Sequence, residues 1–344
     1  MRASPPPLRP WRSETDPVGE LILAYRCAKA LFLGAETDLF RLVEETDGRA
    51  PSVARASRLD PLAAEILLDA LTGSGFLKKT AGRYRNTPYA RRCLHPEGPA
   101  SVAENLRYQE FLSSNYADLL TTLRNGRPRT GLRELLARRP GFVRHYIRGM
   151  ADIAARTAGE LARALPLSGR ERMLDAGCGP GAFLLACLGR DRDLRATALD
   201  LPETLRLTRR IVGASPHAGR VEFQPGDYHT ADFGRARYGL VLLSHVTHDE
   251  GPAENLHLIR KSHAALRPGG IVVIHDFLTR PDRTAPLYGA LFSLHLAAYT
   301  GSGRTYSSRD YASWLAAAGF SRPRTIPLRP GAANATTAVV ATKR

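Results

Sequence analysis

The chain has 344 residues, 43% of them hydrophobic, which allows two globular domains with a sizeable core. Its formal net charge is +16, but the arginines are spread over nearly every segment, which argues against a nucleic-acid or acidic-lipid footprint. No apolar run approaches the roughly 18 residues of a membrane span, and Cys27, Cys93, Cys178 and Cys187 lack paired spacing, which excludes a disulfide or zinc scaffold and fits a reduced, cytoplasmic setting.

Residues 1–15 are rich in Pro and Arg and lack an apolar signal core, so they read as a disordered tail. Residues 16–100 read as one helical domain. Apolar residues recur at helical spacing from Val18 to Gly34 (Leu21, Ile22, Tyr25, Ala28, Leu31, Phe32), and Leu39, Phe40 and Leu42 mark a second helix over 37–45. Two further helices, 52–58 and 60–74, follow, the latter opened by Asp60-Pro61, a good cap and first-turn pair. Segments 75–79 and 82–88 then form a small hairpin. Helix, helix-turn-helix and hairpin describe a winged-helix-like unit, used either for DNA or for dimer contacts. Its second short helix carries Glu65 and Asp69 and no Lys or Arg, which is wrong for a major groove. The expectation is a homodimer and no nucleic-acid or membrane partner.

Residues 101–165 form a helical linker expected to contribute to a substrate pocket, with helices over 101–124 and 140–165 separated by the Gly- and Arg-rich segment 125–131. In the second, Phe142, Tyr146, Met150 and Ile153 fall along one face; Phe142 and Ile153 read best as core.

From Arg172 onward strand and helix patterns alternate. Strands are expected at 173–178, 196–201, 221–225, 238–244 and 271–277, helices near 182–190, 202–214 and 251–266, and a late hairpin at 324–328 and 336–342. Such alternation over 166–344 implies an α/β, Rossmann-like, doubly wound and mostly parallel sheet that binds ligands at the carboxyl ends of its strands. The first strand runs into Asp175-Ala176-Gly177-Cys178-Gly179-Pro180-Gly181, a glycine turn with an acid two residues before the first glycine. The dinucleotide fingerprint differs in both its third glycine and this acid. The second strand ends at Asp200-Leu201, placed to accept both hydroxyls of a ribose, and the third leads to Asp227-Tyr228, suited to an adenine amino group with an aromatic beside it. Three acids at three successive strand ends behind one glycine loop read as a site for S-adenosyl-L-methionine (SAM). Asp175, Gly177, Gly179, Gly181, Asp200, Leu201, Asp227, Tyr228 and Ser244 are its candidate residues.

The fourth strand runs into Ser244-His245-Val246-Thr247-His248-Asp249-Glu250, which brings imidazoles and carboxylates to the same edge. Methyl transfer from a sulfonium to a hydroxyl needs a base near pH 7, and neutral histidine suits that. A His-His-Asp metal site is the rival reading; His245 and His248, three apart in a strand-to-loop turn, need not converge, and no clear third ligand is visible, so no metal is expected.

At these residues the sequence resembles the plant-type small-molecule O-methyltransferases and their bacterial natural-product relatives, including caffeate, acetylserotonin and anthracycline-modifying enzymes. The resemblance runs from about 18 to 320, through 28–32, 83–88, 175–181, Asp200-Leu201-Pro202, Gly226-Asp227-Tyr228, His248-Asp249 and 266–270. It implies a class I methyltransferase sheet behind a dimerisation domain, SAM as cofactor, and a small-molecule, secondary-metabolite acceptor with a phenolic hydroxyl. It also implies His248 as the catalytic base, with Asp249 a lining neighbour and Asp276 a flanking acid. The segment 146–150 resembles the helix whose methionine packs on the acceptor, and Tyr146, Met150, His245, Phe292 and Tyr299 are the candidate acceptor residues. The chain departs from the family at Glu250, where a tryptophan stands in relatives, and at 301–305, which lacks the second flanking acid. Some relatives on this scaffold perform C-methylation, hydroxylation or decarboxylation, so these stay open beside O-methylation, as does a DNA-binding regulator from a different class.

Overall fold

The computed structural model describes residues 16–344 except 139, 156, 330, 331 and 333, so the expected tail at 1–15 lies outside the described residues. Contacts divide the chain between Ser114 and Asn115.

The N-terminal unit contains α1 (Pro17–Glu36), α2 (Leu39–Glu45), α3 (Ala50–Ser57), α4 (Pro61–Gly73), the antiparallel hairpin β1 (Leu77–Thr80) and β2 (Arg83–Asn86), α5 (Pro88–Cys93) and α6 (Ala103–Tyr116), which was expected in the linker and runs just past the division. The Asp60 carboxylate caps α4 by accepting from Ala63 N at 2.9 Å, and Pro61 holds the first helical position, where its missing N–H costs nothing. Leu39, Phe40, Val53, Leu68, Leu71 and Tyr84 form the core of this unit. Its outer faces are apolar too: Leu21, Ile22, Leu23 and Tyr25 of α1 and Leu62 and Ile66 of α4 are exposed.

The second unit opens with four helices, α7 (Leu119–Asn125), α8 (Leu132–Arg138), α9 (Pro140–Ala154) and α10 (Ala158–Ala164). There follow β3 (Arg172–Ala176), α11 (Ala182–Arg190), β4 (Arg195–Asp200), α12 (Pro202–Gly213), β5 (Val221–Pro225), β6 (Tyr238–Ser244), α13 (Pro252–Ala265) and β7 (Leu266–Asp276). The chain continues through β8 (Leu278–Thr279), α14 (Leu287–Ala297), β9 (Tyr306–Ser307), α15 (Ser308–Ala317), β10 (Arg324–Leu328) and β11 (Thr336–Thr342). Seven strands make one sheet in the order β10-β11-β7-β6-β3-β4-β5, parallel from β5 to β7 and antiparallel at β11 and β10.

Both faces of the sheet are covered. Along β6, Leu240 and Leu242 face one core with Met173, Leu184 and Val273, while Val241 and Leu243 face the other with Leu174, Leu258 and Ile274. Strand β7 starts five residues earlier than its apolar run. Between the pairs Tyr238–Leu266 and Leu240–Ile271 the ladder shifts register, so Arg-Pro-Gly-Gly is absorbed as a bulge rather than ending the strand. Strand order reverses between β3 and β6, and the crevice outside their carboxyl ends is where such sheets bind ligands. Among the described residues no helix is long and apolar enough to cross a membrane.

Candidate active site

The glycine turn after β3 is shaped by its backbone. Gly177 has φ +76°, and a Cβ there would lie 2.6 Å from Val246 Cγ2, so only glycine fits. Gly179 has φ +51°, and a Cβ there would meet no described atom within 4 Å, so its backbone faces open space where a ligand can approach. Gly181, at φ +80°, caps α11. Gly177 N and Cys178 N donate to Leu199 O at 2.8 and 3.1 Å, tying the turn to β4. The Asp200 carboxylate completes that tie, accepting from Gly179 N at 2.8 Å and Leu201 N at 2.7 Å. Burial pushes it up to about 6 against these hydrogen bonds. Asp175 is 1% exposed, and neither of its oxygens has a hydrogen-bond partner among the described residues. Burial and the nearby Asp200 raise its carboxyl to about 8.

A cavity of about 310 Å³ opens over this turn. Of the residues expected from sequence, Gly177, Gly179, Asp200, Leu201, Asp227, Tyr228, Tyr146, His245, Asp249 and Tyr299 line it. Asp175 and Gly181 lie behind the lining, and the Ser244 hydroxyl, expected at the cofactor, is instead engaged at 2.9 Å by His275 Nδ1, whose Nε2 meets Thr336 Oγ1 at 2.8 Å. Asp227 does line the cavity, but its Oδ1 accepts from His229 N at 2.9 Å and its Oδ2 is ion-paired with Arg133. Burial raises this carboxyl, but the His229 amide and the guanidinium hold it below its ordinary range.

The histidine cluster is built where β6 and β7 finish side by side. His245 closes β6 at φ +55°, a left-handed conformation that costs a non-glycine residue energy and marks a constrained position. Its amide is fixed by His275 O at 2.8 Å, and burial pushes its imidazole down to about 4, so it is neutral. A single 3-10 turn, Thr247–Asp249, then carries His248. Its Nδ1 lies 2.6 Å from Asp276 Oδ1, and its Nε2 lies 3.7 Å from Asp249 Oδ1. Asp276 is fully buried at the end of β7 and also accepts from Thr247 Oγ1 at 2.8 Å and Phe277 N at 2.8 Å. Burial alone would lower His248 and raise Asp276. Their attraction wins, placing the imidazole at about 9 and the carboxyl at about 2. Asp249 is raised to about 6, chiefly by burial.

Phe292 stands edge-on to His248 with centroids 5.0 Å apart, within a run of rings that includes Phe277 and Tyr288. Tyr146 stacks on Phe142 at 5.7 Å, while Met150 is half-buried on α9 and outside the cavity lining. The two imidazoles do converge, and Asp276 is the third group: the ligand atoms of His245, His248 and Asp276 lie within 4.8 Å of one another. The His248–Asp276 separation of 2.6 Å is that of a charge-assisted hydrogen bond. Two ligands of one tetrahedral zinc stand roughly 3.3 Å apart, given metal–ligand bonds of about 2.0 Å. A proton fits between these atoms better than an ion does.

Sequence reasoning missed Arg133, Thr204 and Val246 on the cavity wall and treated Glu250 only as a departure. Arg133 sits on a seven-residue helix rich in arginine, too short for a clear period. Glu250 is 8% exposed and accepts from the Tyr228 hydroxyl at 2.6 Å and pairs with His229 Nε2 at 2.8 Å; its place beside Asp249 in the turn after β6 was the available signal.

The donor set fits SAM. A backbone cradle at Gly179 open to a ligand, and Asp200 and Asp227 along one wall, suit an adenosyl ligand with the buried Asp175 behind them. Residues 116–321 match the O-methyltransferase domain, and residues 19–96 match the O-methyltransferase dimerisation domain. The chain belongs to the O-methyltransferase family. It is 30% identical over 316 residues to the 3-hydroxy-5-methyl-1-naphthoate 3-O-methyltransferase of Streptomyces sahachiroi, covering 91% of each chain. It is also 30% identical to the tetracenomycin polyketide synthesis 8-O-methyl transferase of Streptomyces glaucescens, covering 89% of this chain and 91% of the other. The crystal structure of human N-acetylserotonin methyltransferase in complex with SAM superposes with a TM-score of 0.84 at 25% identity, over 96% of this chain and 99% of that one. This O-methyltransferase is SAM-dependent, as the sequence motifs led us to expect.

Proposed function

We propose that this O-methyltransferase methylates a phenolic hydroxyl of a small aromatic acceptor from secondary metabolism, with His248 as general base. The observation that carries the reading is the His248–Asp276 pair, buried behind the cavity wall next in the chain to its lining residue Asp249. Asp276 occupies Nδ1, so Nε2 is the nitrogen offered to an acceptor hydroxyl, and Asp276 acts as a positioning residue through His248 rather than by touching substrate. Bound SAM supplies an electrophilic methyl group on a sulfonium. The chain has to orient the acceptor, remove its proton and keep water out. In this reading Asp200 holds the ribose hydroxyls and Asp227 the adenine amino group, with Leu201 and Tyr228 beside the rings. Gly177, Gly179 and Asp175, the last through water, serve the methionine end.

An aromatic acceptor is supported by the wall next to His248, where Phe277, Tyr288, Phe292 and His295 stand 4.8 to 5.2 Å from their neighbours. It is supported too by the relatives, whose names specify a naphthoate, a polyketide and acetylserotonin. We further assign a homodimer joined through the N-terminal unit, and a cytoplasmic setting in which its four free cysteines stay reduced. The test is His248→Ala. SAM affinity should stay within a factor of about two while turnover falls by about 10²-fold or more, the ordinary contribution of a positioned base. Raising the pH should recover part of the rate for a phenol, which ionises near about 10. Wild-type turnover at pH 7 would remove His248 from this role.

A further inference from the structure

Two charged residues of the cavity wall, Arg133 and Glu250, have no part in the roles above. The guanidinium of Arg133, near the start of α8, ion-pairs with Asp227 Oδ2, and its Nη2 lies 3.6 Å from Glu250 Oε1. The same group stands 5.6 Å from the centroid of the Tyr228 ring. All four residues line the cavity. The backbone that carries Arg133 is fixed, because Leu132 N donates to Tyr299 O at 3.0 Å. Asp227 Oδ1 already accepts from the His229 amide, so Oδ2 is the better-placed oxygen for a ligand, and it is the one the arginine takes. The cation therefore competes for the seat, carboxylate and aromatic face together, that an adenine ring and its amino group would use.

Glu250 offers the guanidinium somewhere to go. It is nearly buried, and its Oε1 is oriented by the Tyr228 hydroxyl and His229 Nε2. Arg133 Nη2 already lies 3.6 Å from Glu250 Oε1, so a swing of the flexible side chain wholly onto Glu250 keeps the cation paired while an adenine amino group replaces it as hydrogen-bond donor to Asp227, whereas leaving the guanidinium alone in a half-buried site is costly. We propose that Arg133 and Glu250 gate the adenine subsite: the guanidinium closes on Asp227 when the subsite is empty and transfers to Glu250 when adenine enters. This inference rests on the reading of Asp227 as the adenine acceptor.

The test is calorimetry of the full-length protein with S-adenosylhomocysteine, comparing wild type, Arg133→Gln, Glu250→Gln, the double variant, and Arg133→Gln combined with Asp227→Asn. Removing the competitor in Arg133→Gln should tighten binding by about threefold to tenfold, the scale of one ordinary hydrogen bond after solvent exchange. Glu250→Gln alone should weaken it by about tenfold, because the displaced cation loses its second partner. The double variant should bind as Arg133→Gln does, since no cation then needs a new partner. A Glu250→Gln defect of equal size in both backgrounds would overturn the gate and make Glu250 a mere support for Tyr228. So would Arg133→Gln binding no tighter than wild type, and that arm decides alone if Glu250→Gln fails to fold. Asp227→Asn in the Arg133→Gln background separates the two levels. If it leaves affinity untouched, the adenine assignment itself is wrong; if it weakens binding while Arg133→Gln is neutral, only the gate is wrong.

Discussion

Replacing Asp276 with Asn removes the negative partner of His248 while keeping the shape of the side chain. Against an ordinary imidazole near about 6.5, holding His248 at about 9 is worth roughly 3 kcal/mol in favour of its charged form. Burial pulls the other way, as it does at His245, which lies at about 4. Without the carboxylate, His248 should titrate below about 6.5. A base works only when neutral, so in the wild type kcat/KM should rise with pH until a plateau above about 9, the value held in the free protein. In the variant the rising limb should move down by more than two pH units, and the plateau should fall by less than the about 10²–10⁴-fold expected from removing a base altogether. A pH profile of kcat/KM with a phenolic acceptor, from 5 to 10, reads both. A limb that stays near 9 would refute the pairing as the source of the histidine's basicity. Stability has its own signature. The raised imidazole stabilises the fold fully below about 6.5 and ceases to do so as pH rises through 9, while the lowered carboxyl contributes above about 3.9 and fails as pH falls through 2. The Tm gap between wild type and variant should therefore be widest between about 4 and 6.5.

Two further outcomes are expected. Asp200→Ala removes the proposed ribose acceptor and the anchor of two backbone amides, so SAM affinity by calorimetry should fall at least tenfold, roughly 1–3 kcal/mol; in the wild type, affinity should also decline as pH drops below about 6, where this carboxylate takes up its proton. Unchanged affinity would clear Asp200 of the role. Leu62→Glu with Ile66→Glu places two charges on the exposed apolar face of α4 and should convert the protein to monomers in light scattering, whereas a persistent dimer would move the interface elsewhere.

What the sequence revealed and what it hid follow from the range of the interactions involved. Strands β3, β4 and β6 were readable because each is a short apolar run, the first two closed by Asp175 and Asp200, and β5 because Pro225-Gly226 ends it, with helical patterns of ordinary length between them. The start of β7 was not, because Pro268, Gly269 and Gly270 look like a stop, and only the bulge against β6 carries the strand through them. Helix α14 escaped notice because it is apolar all round, with Leu287, Leu291 and Leu294 exposed, so it has no amphipathic period. Position at a strand end was enough to mark Asp200 and Asp227, which line the cavity, and Asp175, which lies behind it. The meeting of His248 with Asp276 spans 28 residues and two parallel strands, and nothing local encodes it; family resemblance alone pointed to Asp276. Arg133 lies 94 residues from Asp227 and had no local mark at all.

Strand β11 bears on how this enzyme comes into being. Asp276 and His275 lie opposite Thr337 and Ala338, residues made about sixty positions later in synthesis. Until the segment 336–342 has left the ribosome, β7 is a bare edge with unpaired amides and carbonyls, open to pairing with any extended neighbour. His275 likewise waits for Thr336. The glycine turn and its acids can therefore assemble before the proposed base has a finished floor. A nascent chain stalled short of 336 would be able to form the glycine-turn cleft while lacking a settled His248–Asp276 pair, and it would present a sticky margin to quality-control proteins.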